Sequence, residues 1–193
     1  IGRTLGRVLL TLLAVLVELG WVNSTHVSAA TITGQQLSLQ VSSPDFIAGE
    51  SLPTAATCDG AGQPPVIRWS TPPAGTKSVL IVMEPEPGPP RPGDPQDTAG
   101  DYSWTLYNIP AKVRSTARNP GTTGHNSHNP DLAYAPPCSQ GPGAHTYTIT
   151  VYALSQRLKV PADGATGDLL KAQAAPLTRA SGSITAVVTR STP

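Results

Sequence analysis

His145 and Tyr147 are the residues of this 193-residue chain best placed to do chemistry. The Pro/Gly-rich segment 134–144 delivers His145 onto the run His-Thr-Tyr-Thr-Ile-Thr-Val-Tyr-Ala-Leu. Side chains alternate along a strand, so His145, Tyr147, Ile149, Val151 and Ala153 share one face, opposite Thr146, Thr148 and Thr150. That face is apolar below and carries a polar rim, a common way to build a binding pocket. Two enzyme arrangements compete with binding. Ser103, His145 and an acid such as Glu84 supply the residue types of a hydrolytic triad. However, no Gly-x-Ser-x-Gly elbow is present, and Ser103 falls inside a predicted strand rather than on a strained turn. His125, His128 and His145 lie within a 21-residue stretch and could recruit a metal. No matching carboxylate arrangement accompanies them, and the first two belong to a polar Asn/His/Pro turn. The expectation is a binding protein without catalytic residues, metal or cofactor, with a hydrolase as the alternative.

The elements that must position these residues follow from composition and periodicity. With 21 Pro, 18 Gly, 38% hydrophobic and 13% charged residues, the chain can bury one core and reads as mainly β, short strands joined by structured turns. Residues 36–42 alternate as a strand with Leu37, Leu39 and Val41 on one face, and 66–70 form a short strand carrying Trp69. Residues 78–83, Ser-Val-Leu-Ile-Val-Met, are apolar on both faces and predict a central buried strand. Residues 102–108 alternate Tyr102, Trp104 and Leu106 against Ser103, Thr105 and Tyr107, and strands over 145–154 and 183–190 complete the set. One helix is expected, starting near Thr166 or Asp168 and stopped by Pro176.

The first 29 residues read as a secretory signal peptide. Arg3 and Arg7 precede an apolar run over 8–17, and small residues follow at 27–30. The alternative is an uncleaved anchor over residues 8–22. The domain at 30–193 would then be exported to the cell envelope or the extracellular space. Loss of Arg3, Arg7 and Glu18 leaves that domain formally neutral, without the clustered Lys and Arg that nucleic-acid backbones require. Export would place Cys58 and Cys138 in an oxidising compartment, where a disulfide is the default and two separately buried thiols the alternative. Between the central strand and Trp104 runs a stiff acidic loop. From 84 to 101 it holds five acids, Glu84, Glu86, Asp94, Asp97 and Asp101, against the single base Arg91.

Six blocks in order resemble the phosphatidylethanolamine-binding protein family, in its bacterial Raf-kinase-inhibitor-like branch. They are Ser43-Pro44-Asp45-Phe46 with Gly49-Glu50; Thr57-Cys58-Asp59-Gly60; Arg68-Trp69-Ser70 with Pro73, Gly75-Thr76-Lys77-Ser78; Glu84-Pro85-Glu86-Pro87; Trp104 to Tyr107-Asn108-Ile109-Pro110; and Gly124-His125-Asn126-Ser127 with the 138–147 loop. The resemblance implies a β-sandwich of two antiparallel sheets, one short helix near the C-terminus, and a small anion pocket at one end. By position it assigns ligand binding to Glu84, Ser103, His145 and Tyr147, with amide donors around Gly141 and Gly143.

Two of those four residues depart from the family pattern. Glu84 replaces an aspartate and Ser103 a histidine, while Thr146 replaces an arginine. Ala186 and Val188 also stand where Gly and Tyr are usual. A serine offers one neutral donor where a histidine offers two nitrogens and a charge near neutral pH. The implied function is therefore binding of a phosphate-bearing small molecule or phospholipid head group, weakened relative to the family. The alternative is a protein-interaction or regulatory module of the envelope, with a protein partner contacted through the acidic loop.

Overall fold

A computed structural model of the chain describes residues 37–87, 100–129, 131–138 and 143–190. The expected signal segment, Gly141 and most of the acidic proline loop lie outside the described residues. Among the described residues no helix is long and apolar enough to cross a membrane.

The described residues form eight strands: β1 (Leu37–Ser38), β2 (Val41–Ser42), β3 (Arg68–Trp69), β4 (Ser78–Pro85), β5 (Trp104–Pro110), β6 (Thr122–Thr123), β7 (Gly143–Leu154) and β8 (Thr178–Arg190). Six make one sheet in the order β1-β8-β7-β4-β5-β6, and β2 pairs with β3 in a second, smaller one. All pairings are antiparallel except β1 with β8, which is parallel. The mainly β, two-sheet architecture matches the expectation, although the second sheet is only a pair of two-residue strands.

β4 lies between β5 and β7, and residues 78–83 are buried without exception. The reason is that the large sheet is covered on both faces. Val79, Ile81 and Met83 join a core with Trp69, Trp104, Ile149 and Ile184, while Leu80 and Val82 pack with Tyr107, Leu158 and Leu170. A strand flanked this way has no face left for an unpaired polar side chain, and its one buried polar residue, Ser78, donates its hydroxyl to Gln156 O (2.6 Å).

Residues 36–42 do not make the single strand expected from their alternation. The amide of Leu39 donates to Ser181 O (2.8 Å), whereas Gln40 O accepts from the amide of Ser70 (2.9 Å), so the chain crosses between sheets at this point. Gly182 permits the approach, because a Cβ there would run into the carbonyl of Leu39. Leu37 is consequently exposed and Leu39 buried.

β5 also breaks its alternation. Asn108 adopts φ 57°, and its amide group both donates to Leu158 O (3.0 Å) and accepts from Leu158 N (2.8 Å). Asparagine tolerates this left-handed conformation better than most residues. The irregularity lets Leu106 and Ile109 enter the same core while Tyr107 faces the other one.

The one α-helix among the described residues, α1 (Gly167–Ala174), begins where expected: Thr166 is its N-cap and its hydroxyl accepts from Leu169 N at 3.3 Å. Leu170 and Ala174 seal the second core, and a 3-10 turn containing Pro176 ends the element.

Candidate functional site

A cavity of about 520 Å³ opens at the end of the large sheet where β4 leaves it and β7 enters. Its floor is strand geometry. Pro85 pairs directly with Tyr147, and two residues earlier on the same face of β7 stands His145. All three line the cavity. Along β7 the alternation holds: Tyr147, Ile149, Val151 and Ala153 are buried, and His145 is the exposed outer residue of that face. Neither the His145 ring nor the Tyr147 hydroxyl is hydrogen-bonded to another described residue. Across the neighbouring strand stand Val188, opposite His145, and Ala186, opposite Tyr147. Both are buried apolar residues that offer the site no donor.

One wall is the segment 135–138, Ala-Pro-Pro-Cys. Prolines hold it extended, and three contacts fix it in place. The amide of Ala135 donates to Ser103 O (2.8 Å), the amide of Cys58 donates to Pro137 O (3.1 Å), and Cys58 is disulfide-bonded to Cys138 with Cα atoms 5.2 Å apart. The disulfide is thus formed, and it ties the wall to the Thr57–Gly60 turn. Tyr134, just before the wall, packs edge-on against Trp104 with ring centroids 5.9 Å apart, and its hydroxyl donates to Ala56 O (2.6 Å). Burial raises the pKa of this phenol well above its ordinary value, with the neighbouring Tyr147 a smaller cause.

Asp101, His128 and Asn129 also line the cavity, and the family resemblance assigns none of them to ligand binding. His128 Nε2 lies 3.1 Å from Asp101 Oδ1. The buried side chain of Asn126 sets the turn that presents the histidine: its Oδ1 accepts from the amides of His128 (2.8 Å) and Asn129 (2.9 Å). Its Nδ2 is directed at Asn129 Oδ1 and at the carbonyls of Asp131 and Ala133. Ser127 then locks this turn to the approach of β5. Its amide donates to Tyr102 O (2.8 Å), and its hydroxyl accepts from Tyr102 N (2.9 Å) and donates to Gly100 O (3.2 Å). Positions 101 and 128 are therefore brought side by side by backbone contacts of their neighbours. Twenty-seven residues separate them in sequence, and no local pattern announces the meeting.

Glu84 and Ser103, both assigned to the pocket by position, are not among the described residues that line it. The reason for Glu84 is parity, since side chains one residue apart on a strand point to opposite faces. With Pro85 turned to the cavity, Glu84 points to α1, where its Oε1 meets Lys171 Nζ at 2.7 Å. Ser103 is fully buried, and its Oγ has no hydrogen-bond partner among the described residues. Gly143 begins β7 with φ 120° and likewise does not line the cavity. No hydrogen bond joins Ser103, His145 and Glu84 as a triad would require. His125 Nε2 bonds instead to Asp163 O at 3.0 Å. Among the described residues, no three of His, Cys, Asp and Glu converge as metal ligands.

Behind this site, on the helix side, lies a second polar cluster. The Tyr102 hydroxyl donates to Asp168 Oδ1 (2.6 Å), the amide of Gly100 donates to the same carboxylate, and Lys171 Nζ sits 5.6 Å from the Tyr102 ring centre. Burial raises the Tyr102 pKa strongly, and the bond to Asp168 and the negative charges of Asp168 and Glu84 add to it. Gly167 is required here, because a Cβ at that position would collide with the Tyr102 ring.

The model of the family described as phosphatidylethanolamine-binding protein matches residues 42–188. Similar chains include the UPF0098 protein YbcL of Escherichia coli, 32% identical over 159 residues, spanning 72% of this chain and 81% of YbcL. A UPF0098 protein of Aquifex aeolicus is 32% identical over 126 residues, covering 61% of this chain and 68% of its own length. Mycobacterium tuberculosis LppC, named as a lipoprotein, is 32% identical over 149 residues, covering 75% of this chain and 69% of LppC. Among solved structures, YbcL superposes with a TM-score of 0.66 at 25% identity, over 79% of this chain and 99% of that one. The phosphatidylethanolamine-binding protein homologue CT736 of Chlamydia trachomatis superposes with a TM-score of 0.68 at 23% identity, over 80% and 99%. The order of the sequence blocks and the two-sheet fold agree with these matches: the chain belongs to the phosphatidylethanolamine-binding protein family, alongside bacterial UPF0098 proteins.

Proposed function

We propose that this chain is an exported binding protein whose cavity receives a small oxyanion, a phosphate or a phosphate-bearing head group. The observation that carries this reading is the pairing of two polar side chains, the His145 ring and the Tyr147 hydroxyl, without partners among the described residues, on the wall of one cavity. Polar groups held at a concave surface and left unpaired by the protein are suited to a ligand that pairs them. Each offers a hydrogen-bond donor, and the imidazole adds charge when protonated. Export is supported by the disulfide, since such bonds persist in oxidising compartments, and by the lipoprotein name of the mycobacterial relative.

With Ser103 buried away from the cavity in place of the second histidine of the family pattern, the anion relies on fewer charge-assisted bonds, and the affinity is correspondingly weak. Calorimetric titration with inorganic phosphate and with phosphate-bearing head groups tests the proposal. Saturable binding is expected, weakened about tenfold or more by His145→Ala, the loss of one hydrogen bond to a charged group. Affinity unchanged by that substitution would overturn the reading.

A further inference from the structure

We propose that Asp101 selects among the oxyanions the cavity accepts, favouring those that still carry an O–H, free phosphate and phosphate monoesters, over those that do not, sulfate and the phosphodiester of an intact phospholipid. The inference rests on the reading of the cavity as an oxyanion site and adds its specificity. The observation behind it is that a carboxylate shares the cavity wall with the two donors, His145 and Tyr147. An ionised carboxylate only accepts hydrogen bonds. Beside a fully deprotonated anion it contributes like-charge repulsion. Beside a hydrogen phosphate or the protonated form of a phosphate monoester it instead takes the ligand's own proton in a charge-assisted hydrogen bond, the stronger kind.

Asp101 is placed for this role by the fold. Both its neighbours are held in place: the amide of Gly100 bonds to the Asp168 carboxylate, and Tyr102 is bonded through both its N–H and its C=O to Ser127. One carboxylate oxygen, Oδ1, faces His128 Nε2 at 3.1 Å. The other takes no hydrogen bond from the described residues. Holding Nε2 against a carboxylate also keeps a proton on that nitrogen, which leaves Nδ1 as the atom His128 turns elsewhere. The carboxylate is half exposed, so its effect is one of discrimination between ligands and not of exclusion of all anions.

The test compares two tetrahedral oxyanions of similar size near neutral pH, where phosphate retains at least one O–H and sulfate retains none. The wild-type protein is expected to bind inorganic phosphate about tenfold or more tightly than sulfate. Asp101→Asn keeps an oxygen for His128 but replaces the second oxygen by an N–H donor, so sulfate should gain affinity and the ratio should approach one. His145→Ala should weaken both anions with little change in the ratio. Equal affinities in the wild type would overturn the selection by Asp101 while leaving the oxyanion site standing. Parallel weakening of both anions by Asp101→Asn would also overturn it, by reducing Asp101 to a support for His128. Failure of the wild type to bind either anion would remove the oxyanion site and this inference with it.

Discussion

At the end of β4 the two faces of the large sheet part company within two residues. Pro85 turns to the cavity beside Tyr147, while Glu84 turns to α1 and is met by Lys171. On the helix side, the polar groups of Glu84, Tyr102, Asp168 and Lys171 are paired with one another. On the cavity side, the His145 ring and the Tyr147 hydroxyl are left without described partners, and the wall around them is held from outside the sheet, by a disulfide and by an asparagine-centred turn. The same strands therefore make a closed polar cluster on one face and an open one on the other. Pairing stabilises the fold, and its absence leaves capacity for a ligand.

Three sets of substitutions test this contrast. The largest effect is expected from the cavity side. Replacing both Cys58 and Cys138 with alanine releases a closed loop of 80 residues and should lower the unfolding free energy by about 3–5 kcal/mol. Denaturant unfolding measures this, and the same substitutions should weaken phosphate binding because Cys138 is part of the wall. A loss under about 1 kcal/mol would show that the wall holds itself.

On the helix side, Tyr102→Phe removes the donor to Asp168 and should cost about 1.5–3 kcal/mol, the range for a hydrogen bond to a charged group. The raised pKa of this phenol has a defined pH signature. Its folded-state pKa lies above the unfolded value of about 10, so the unfolded chain releases the proton first as pH rises. The stability it contributes is full below that value and declines as pH climbs toward the folded pKa. Melting curves from pH about 9 to 11 should therefore fall more gently for Tyr102→Phe than for the wild type. Tyr134 and Tyr107, which are also raised by burial, will leave part of the slope in place. Identical slopes would remove Tyr102 from the account.

The smallest effect belongs to Glu84→Gln. The ion pair with Lys171 is partly exposed, and such pairs contribute about 0.2–1 kcal/mol. Phosphate affinity should not change, which separates this residue from the binding role its position in the sequence suggests. A tenfold loss of affinity would return Glu84 to the site.

The sequence carried much of the fold and brought two residues, His145 and Tyr147, to the candidate cavity. Alternation along 145–153 correctly set the buried face of β7, and unbroken apolarity over 79–83 correctly set a central strand, because both patterns depend only on which face meets water. The Thr166 cap and Pro176 stop bounded α1 for equally local reasons. Alternation failed at Leu39, where the chain changes sheets, and at Asn108, where a left-handed residue resets the face. It also could not tell which side of β4 an acid would occupy once the chain reached the strand's end.

Sequence alone thus determined the family, the mainly β architecture and the delivery of His145 and Tyr147 to one strand face, since these are written in residues near one another and in the order of short blocks. Tertiary structure decided the rest. It sent Glu84 to Lys171, buried Ser103, confirmed Cys58 with Cys138, and set Asp101 against His128 across 27 residues. Those outcomes depend on which distant segments the sheet brings together, and on which polar groups find partners there before a ligand can.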